Sequence, residues 1–497
     1  MSDTVTLDGH SLSIGDVLAV ARRRARVAIA PAALARVAQA RATVEAAIAA
    51  GRTVYGVTTG FGKLAHVRIA PDRLRQLQLN LIRSHASGVG EPLSVEAVRA
   101  MMLLRANVLL QGTSGARAAL PELLVAMLNR GVHPRVPSLG SVGASGDLAP
   151  LSHLALAMVG EGEDGQALRA AGLTPIGLEA KEGLSFVNGT QAQTGLAALL
   201  VHDAWVLWRA AHAAAAMSLE AVRGSPDPFD PRIHDARPHP FQQRSAALLR
   251  ALLADSEIRE SHRENDPRVQ DAYSIRCTPQ VCGAVGEGLA FAERLVATEL
   301  NGATDNPLVF GDDILSGGNF HGQPVALALD VLGIALATLA GMAERRLERI
   351  VNPDLSSGLP AFLARDPGLE SGFMTAQIAA AALVAECRML ATPASVQSVP
   401  TEGNQEDVVP MGMSAAWKAE RILAHVARIV AIELLAGAQG LEFLKPLRPG
   451  RGVARIWAAV RREVPALEGD RPMSEEIERT AGLVRAGAFE PAPPEAA

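Results

Sequence analysis

Apolar residues recur along most of the chain at the three- and four-residue spacing of helices, whereas alternating runs typical of strands are nearly absent. Five long stretches rich in Ala, Leu, Glu and Arg contain no proline and are predicted as helices: 190–222, 281–300, 325–350, 375–391 and 413–444. Shorter helices are predicted at 13–21, 32–50, 71–87, 94–111 and 121–130. We therefore expect a mainly α fold.

Glycine and proline gather in four loops where the helical pattern lapses: 56–62, 134–150, 304–322 and 392–413. Loops held by a rigid scaffold are common places for catalytic residues. The predicted helices before residue 200 are mostly shorter than those after it. This change predicts a helical part over 1–200 that carries active-site loops, and a part over 201–497 that contains the long central helices and the C-terminal helices.

Composition and charge restrict the class of protein. Of 497 residues, 48% are apolar and 20% are charged, and the net charge is −5, so neither a nucleic-acid nor a membrane partner is expected. Residues 325–342 are long enough to cross a bilayer, but Asp330 interrupts them, which favours a core helix. Three scattered cysteines exclude a disulfide scaffold and fit a cytoplasmic protein. The histidines lack metal-ligand spacing, so no metal site is expected.

The most specific segment is Ala144-Ser145-Gly146, inside a run of small residues. One interpretation is an ordinary flexible turn, since glycine and serine occupy tight bends at low cost. The other is chemical: in a tight bend the amide nitrogen of Gly146 can attack the carbonyl carbon of Ala144. Loss of water closes a five-membered ring, and loss of the Ser145 hydroxyl leaves an exocyclic methylidene. Such a ring is a built-in electrophile that needs no external cofactor.

The chain has only two tyrosines, and both lie in polar contexts. Tyr55 lies in a glycine-rich loop that lacks the Lys and Ser/Thr of a P-loop. Gln270, Tyr273 and Arg276 recur every three residues, which predicts that they share one side of a helical turn. A carboxamide, a phenol and a guanidinium together can bind a carboxylate beside a proton carrier. A solvated helix face is the alternative.

Three polar loops next to apolar helices supply further candidates. Asn188 precedes the helix predicted at 190–222, where it either caps that helix or contributes to a site. Phe320 lies in a Gly-Gly-Asn-Phe-His segment, and Glu406 lies in a Gly-Asn-Gln-Glu-Asp segment.

In this order and at these separations, the segments resemble the histidine and aromatic amino-acid ammonia-lyase family, over most of the chain from Tyr55 to Asp407. The resemblance implies a 4-methylidene-imidazole-5-one (MIO) group made from Ala144, Ser145 and Gly146. It also implies an all-α fold with a long central helical bundle of the fumarase/aspartase-like type. A homotetramer, with each active site assembled from more than one subunit, is implied as well.

The same resemblance assigns roles to single residues. Tyr55 matches the loop tyrosine that removes the substrate β-proton, Tyr273 the second essential tyrosine, and Arg276 the arginine that holds the α-carboxylate. The other matches are polar or aromatic groups near the ring or the substrate: His85, Asn188, Gln270, Phe320 and Glu406. Because a free tyrosine has a pKa of about 10, its base form needs positive charge or helix N-termini nearby.

Two features bear on the substrate. The pair Ser84-His85 and the residue Glu406 resemble the histidine-specific branch of the family. A carboxylate can accept a hydrogen bond from an imidazole N–H, whereas a charge buried against a phenyl ring is costly. The resemblance therefore implies an amino-acid substrate, L-histidine, which is deaminated to trans-urocanate.

The sequence departs from the histidine branch at Val408, at Pro410 and at the pair Glu402-Gly403, where the family has small residues. Val408-Val409 is instead similar to the tyrosine branch. A phenylalanine or tyrosine ammonia-lyase and a 2,3-aminomutase with the same prosthetic group therefore stay open. A catalytically silent helical scaffold is the alternative from another class.

Overall fold

The computed structural model describes residues 4–491 and is 59% helical, which confirms the mainly α class. Its α-helices are α1 (Ile14–Ala21), α2 (Pro31–Ala49), α3 (Leu74–His85), α4 (Val95–Leu110), α5 (Ala119–Arg130), α6 (Leu148–Met158), α7 (Gly162–Ala170), α8 (Glu182–Val187), α9 (Gln191–Ala221), α10 (Pro231–Asp235), α11 (Pro240–Leu252), α12 (Glu257–Glu260), α13 (Tyr273–Arg276), α14 (Thr278–Glu299), α15 (Gln323–Val351), α16 (Met374–Leu390), α17 (Gly412–Glu442), α18 (Arg451–Glu463) and α19 (Ser474–Arg485). Short 3₁₀ turns occur at Gly62–Leu64, Pro71–Arg73, Asp227–Phe229, Ala361–Leu363 and Glu402–Asn404.

Between residues 4 and 491, six short strands pair into three two-stranded sheets. In parallel, β1 (Thr4–Leu7) pairs with β2 (Arg26–Ile29), while the antiparallel pairs are β3 (Val89–Pro92) with β4 (Pro137–Leu139) and β5 (Leu308–Phe310) with β6 (Asp313–Leu315). Each strand has three or four residues. Runs this short do not show the period of two by which a strand is recognised in sequence.

Local side-chain contacts fix where helices begin. At α1, the hydroxyl of Ser13 accepts the N–H of Asp16 at 3.2 Å, and the Asp16 carboxylate accepts the N–H of Ser13 at 3.0 Å. This reciprocal cap satisfies amides that have no partner inside the helix. At α4, Ser94 accepts the N–H of Ala97 at 3.2 Å, as an N-cap residue does.

The chain forms two compact units that are discontinuous in sequence. Among the described residues, the first unit contains the chain up to Leu200, together with Ala292–Asp330 and Pro393–Trp417. The second contains Val201–Phe291, Val331–Thr392 and the chain from Lys418 onward. The division expected from the sequence was contiguous, whereas two later segments pack with the first 200 residues.

In the first unit, α4 is buried along nearly its whole length, from Ala97 to Leu110. Two of its polar residues donate to backbone carbonyls of other elements. Arg99 Nε donates to the Val20 carbonyl at 2.9 Å, and Asn107 Nδ2 donates to the Leu300 carbonyl at 3.1 Å. A helix buried on all sides needs such partners because an unpaired buried polar group is costly.

In the second unit, a fully buried ion pair joins two long helices. Arg346 on α15 donates to Glu433 on α17 at 2.5 and 3.0 Å, and both side chains have no exposed surface. The Ser218 hydroxyl donates to the same carboxylate at 2.7 Å. α15 and α17 are long and apolar enough to cross a membrane, yet most of each apolar window is buried within the chain. Burial against other helices accounts for their apolar character.

Candidate active site

The turn around Ala144-Ser145-Gly146 is tightly closed on itself. Gly143 and Gly146 pair across it as an isolated antiparallel bridge, and their φ angles are +78° and +73°. A Cβ added to Gly146 would lie 2.2 Å from the carbonyl oxygen of Gly189. Only glycine fits this position, because both the backbone angle and the close approach exclude a side chain.

Distant segments hold the turn in place. The carbonyl of Gly143 accepts the N–H of Gly322 at 3.0 Å, and the carbonyl of Val142 accepts the N–H of Met411 at 2.8 Å. On the other side, Gly146 bridges to Gly189 in parallel. The bend is therefore imposed by the folded first unit and is not an ordinary flexible turn.

Asp147, next to the tripeptide, is a buried carboxylate without a cation among its hydrogen-bond partners in the described chain. It accepts the Ser141 hydroxyl at 2.9 Å and the N–H of Gln193 at 2.9 Å. Burial raises its pKa to about 6, although these hydrogen bonds oppose the rise. The side chain links the turn to the first helical turn of α9.

Asn188 connects the tripeptide to a buried cation. Its Nδ2 donates to the Ser145 carbonyl at 2.9 Å, while its Oδ1 is buried without a hydrogen-bond partner. Behind it, Arg105 donates to the Asn188 carbonyl at 3.2 Å and to Gln191 Oε1 at 2.7 Å. Complete burial lowers the pKa of Arg105 to about 10, which leaves the guanidinium charged at neutral pH.

A second buried cation lies close by. Lys181 Nζ donates to Asp305 at 2.9 Å, and neither side chain has exposed surface. The other carboxylate oxygen of Asp305 accepts the N–H of Asn306 at 2.7 Å, and Asn306 Oδ1 accepts the N–H of Gly317 at 2.7 Å. The ion pair thus positions Asn306, which lines the same cavity as Ser145.

A cavity of about 500 Å³ in the first unit brings most of the predicted residues together. Six of them line it: Tyr55, Ala144, Ser145, Asn188, Phe320 and Glu406. The remaining lining residues were not predicted as site residues from the sequence: Gly62, Ala65, Asn306, Ser316, Gly317, His321, Glu402, Gln405, Asp407 and Val408. Several belong to the loops 304–322 and 392–413, and the glycine- and proline-rich composition of these loops was the sequence feature that could have indicated them. For Asn306, its position in such a loop was the sole indication.

Tyr55 lies in the loop after α2 and is half-buried. Its hydroxyl accepts the N–H of Gly62 at 3.0 Å. Burial raises the pKa of the phenol, the Gly62 hydrogen bond lowers it, and the charges of Glu402 and Glu406 raise it further. Within this cavity the phenol is therefore held in its protonated form.

His85, the last residue of α3, does not line this cavity. It lines an adjoining, mainly apolar cavity of about 520 Å³, together with Phe61, Ser84 and Glu402. The Ser84 hydroxyl lies 2.9 Å from His85 Nδ1. Burial lowers the pKa of the imidazole, whereas the charge of Glu406 raises it. Glu402 lines both cavities.

Gln270, Tyr273 and Arg276 belong to the second unit and do not line the cavity of the first. The prediction that all three share one helical turn was wrong. α13 begins only at Tyr273. Before it, the Asp271 carboxylate accepts the N–H of Ser225 at 2.6 Å, and Gln270 lies in an exposed bend. Tyr273 is 70% exposed, and the Arg276 guanidinium lies 4.6 Å from its ring centre.

Among residues 4–491, no three His, Cys, Asp or Glu side chains are grouped as a metal site would need. The cavity itself is lined by the tripeptide turn and by phenol, amide, imidazole and carboxylate side chains.

Comparison with known proteins identifies the family of the chain. A sequence profile of the aromatic amino acid lyase family matches residues 12–462. The histidine ammonia-lyase of Koribacter versatilis is 50% identical over 97% of this chain and 98% of its own length. The crystal structure of histidine ammonia-lyase from Trypanosoma cruzi superposes with a TM-score of 0.90 at 44% identity, covering 98% of this chain and 94% of that one. Tyrosine aminomutase from Streptomyces globisporus gives 0.93 at 40% identity, covering 98% and 97%. The chain belongs to the aromatic amino acid lyase family, and it is a carbon–nitrogen lyase.

Proposed function

We propose that this enzyme removes ammonia from L-histidine and releases trans-urocanate, using an MIO group made from Ala144, Ser145 and Gly146. The observation that carries the proposal is the closed turn whose Ser145 carbonyl is held by Asn188 at 2.9 Å in the cavity that Tyr55 and Glu406 also line. The histidine ammonia-lyases at about 50% identity over nearly the whole chain support the substrate. We expect the enzyme to act in the cytoplasm.

The residues around the turn fit the proposed group. Gly143 and Gly146 supply the positive φ angles that a closed bend requires, and the side chain of Ser145 lines the cavity. Asn188 would hold the group through the hydrogen bond it already makes to Ser145, and its buried Oδ1 still lacks a donor. Once formed, the group would supply an electrophilic carbon toward the substrate amine.

The chain's own side chains have separate tasks. Glu406 accepts the Thr401 hydroxyl at 2.6 Å through one oxygen, while its other oxygen is buried without a partner and is available to an imidazole N–H. Phe320 forms an aromatic wall. Tyr55 takes the β-proton of the substrate. Because the two nearby carboxylates stabilise its protonated form, Tyr55 needs a cation to act as a base.

We infer that this cation comes from another subunit of a homotetramer, which supplies Tyr273, Arg276 and Gln270. Tyr273 is largely exposed, and the guanidinium of Arg276 is stacked against it. A guanidinium would bind the substrate carboxylate bidentately and would also lower the pKa of a phenol nearby.

The substrate is tested by incubating purified enzyme with L-histidine, L-phenylalanine and L-tyrosine while following the absorbance of the conjugated product. Conjugated product from histidine at the highest kcat/KM is expected. A β-amino acid as the main product would instead identify an aminomutase, which the similarity to tyrosine aminomutase makes the specific competitor.

The prosthetic group is tested by intact mass. Ring formation removes two waters, so the wild-type chain should be about 36 Da lighter than its sequence requires. Ser145→Ala should show no comparable loss and no turnover, while Ser474→Ala, at an exposed serine, should behave like the wild type. A full-mass chain that deaminates histidine would contradict the proposal.

A further inference from the structure

The active-site cavity is strongly acidic. Three carboxylates line it, those of Glu402, Glu406 and Asp407, and none of the lining residues is Lys or Arg. The cavity also contains a buried acceptor without a donor, Oδ1 of Asn188, whose side chain is only 3% exposed. A cavity with unmatched acceptors is suited to a ligand that brings hydrogen-bond donors.

The backbone conformation of residues 402–404 places Glu402 beside the loop that carries Tyr55. Glu402, Gly403 and Asn404 follow one another with φ angles of +50°, +61° and +63°, an uncommon run for residues other than glycine. The carboxylate packs directly on Gly62, because a Cβ added there would lie 1.6 Å from Glu402 Oε1. The side chain therefore lies beside the loop whose Gly62 N–H reaches Tyr55.

The charge of Glu406 acts on the carboxyl group of Glu402. Partial burial and then the charge of Glu406 raise the pKa of Glu402. Thr401 satisfies one oxygen of Glu406, whereas no protein donor reaches the carboxylate of Glu402 within hydrogen-bonding distance among the described residues. Burial and the neighbouring negative charge therefore both favour a proton on Glu402.

We propose that Glu402 is a second specificity-determining residue, which contacts one nitrogen of the substrate imidazole while Glu406 contacts the other. This inference rests on the proposed histidine substrate and deepens it. The position is one at which the chain departs from the small residues of the family it resembles.

The chemistry of imidazole fixes how such a pair must work. The neutral ring has one N–H donor and one nitrogen acceptor, so it can satisfy only one bare carboxylate. The complex therefore takes up one proton from solvent and shares it between Glu402 and the second ring nitrogen. Substrate rings with a single nitrogen or with none cannot present two N–H donors even after proton uptake, so they leave a carboxylate unpaired and are disfavoured.

The first test separates binding from chemistry. Glu402→Leu removes both the charge and the hydrogen-bonding atoms, so it leaves the second ring nitrogen without a partner and should raise KM for L-histidine about tenfold while kcat changes much less. Glu468→Leu, at a carboxylate with 80% exposed side-chain surface, is the matched control and should leave both constants unchanged. An unchanged KM in Glu402→Leu, or a loss confined to kcat, would overturn the proposal.

The second test determines whether Glu402 contacts one particular nitrogen of the substrate imidazole. L-histidine methylated at Nτ and L-histidine methylated at Nπ are compared with L-histidine in the wild type and in Glu402→Ala. Shortening Glu402 makes room at one nitrogen only, so preference for histidine over one methyl isomer should fall about tenfold while preference over the other persists.

Equal changes for both isomers, or no change for either, would contradict the proposal. These failures differ from failure of the proposed function. If the wild type does not deaminate histidine at all, both the proposed substrate and the proposed role of Glu402 are refuted. If the wild type is active but the variants behave as it does, only the role of Glu402 is refuted.

Discussion

Replacing Gly146 by alanine tests whether the closed turn is necessary for ring formation. The new methyl group would lie 2.2, 2.3 and 2.6 Å from the oxygen, carbon and nitrogen of Gly189. All three are backbone atoms, so no side chain can rotate away to relieve the contact. The turn must open or Gly189 must move, which would also strain the 2.7 Å hydrogen bond from the Asp147 N–H to the Gly189 carbonyl.

Two costs add in this variant. Placing alanine at a φ of +73° costs about 1–2 kcal/mol. Forcing a methyl group into a filled space costs about 1–3 kcal/mol. The free energy of unfolding should therefore fall by about 2–5 kcal/mol. Gly162 is the matched control, because its φ is +67° and nothing lies within 4 Å of an added Cβ. Gly162→Ala should show only the first cost.

Thermal unfolding, intact mass and histidine turnover are measured on both variants and on the wild type. We expect Gly162→Ala to retain the loss of about 36 Da and the activity. Gly146→Ala should melt at a lower temperature than Gly162→Ala, keep its full mass and be inactive. If Gly146→Ala loses two waters and turns over histidine at the wild-type rate, the steric argument and the required geometry of the turn are both wrong.

Three further predictions concern assembly, stability and pH. Co-expression of Tyr55→Phe with Tyr273→Phe should restore about a quarter of the wild-type activity if the two tyrosines come from different subunits, and none if each site takes both from one chain. Arg346→Met, which leaves Glu433 buried without its partner, should destabilise the fold by about 3–5 kcal/mol in chemical denaturation; a loss below 1 kcal/mol would mean that the pair is not buried in solution. Burial raises the pKa of Glu220 to about 7 from 4.5, so its contribution to stability is most favourable below pH 4.5 and is lost as pH rises toward 7. Glu220→Gln should remove that loss, and the difference in melting temperature from the wild type should therefore shift in favour of the variant between pH 5 and pH 8; a constant difference would contradict the raised pKa.

The long helices could be predicted from sequence because their apolar spacing persists over many turns. The predicted helix at 190–222 is observed as α9 (Gln191–Ala221), and the one at 413–444 as α17 (Gly412–Glu442). The predicted helix at 71–87 is instead divided into a 3₁₀ turn at Pro71–Arg73 and α3. Helix ends depend on single capping residues and prolines, which change the apolar pattern over one or two residues only.

The candidate site was predictable where chemistry is local and not where it depends on distant partners. Ala144, Ser145 and Gly146 are adjacent in sequence, so their spacing alone suggested the ring. Lys181 and Asp305 are 124 positions apart, and no local sequence pattern predicts that they form an ion pair. The position of His85 in an adjoining cavity likewise depends on how α3 ends against the loop that carries Glu402.

The backbone hydrogen bonds that hold the tripeptide would also determine when the proposed ring can form during biosynthesis. Val142 and Gly143 are held by the amides of Met411 and Gly322, which leave the ribosome long after Ser145 has been made. At about 5–20 residues per second, the delay between Ser145 and Met411 is roughly ten to fifty seconds. A nascent chain would therefore carry an unreacted Ser145 throughout that interval, and so would a chain truncated before Met411. The reactive carbon would appear only after the cavity around it has formed.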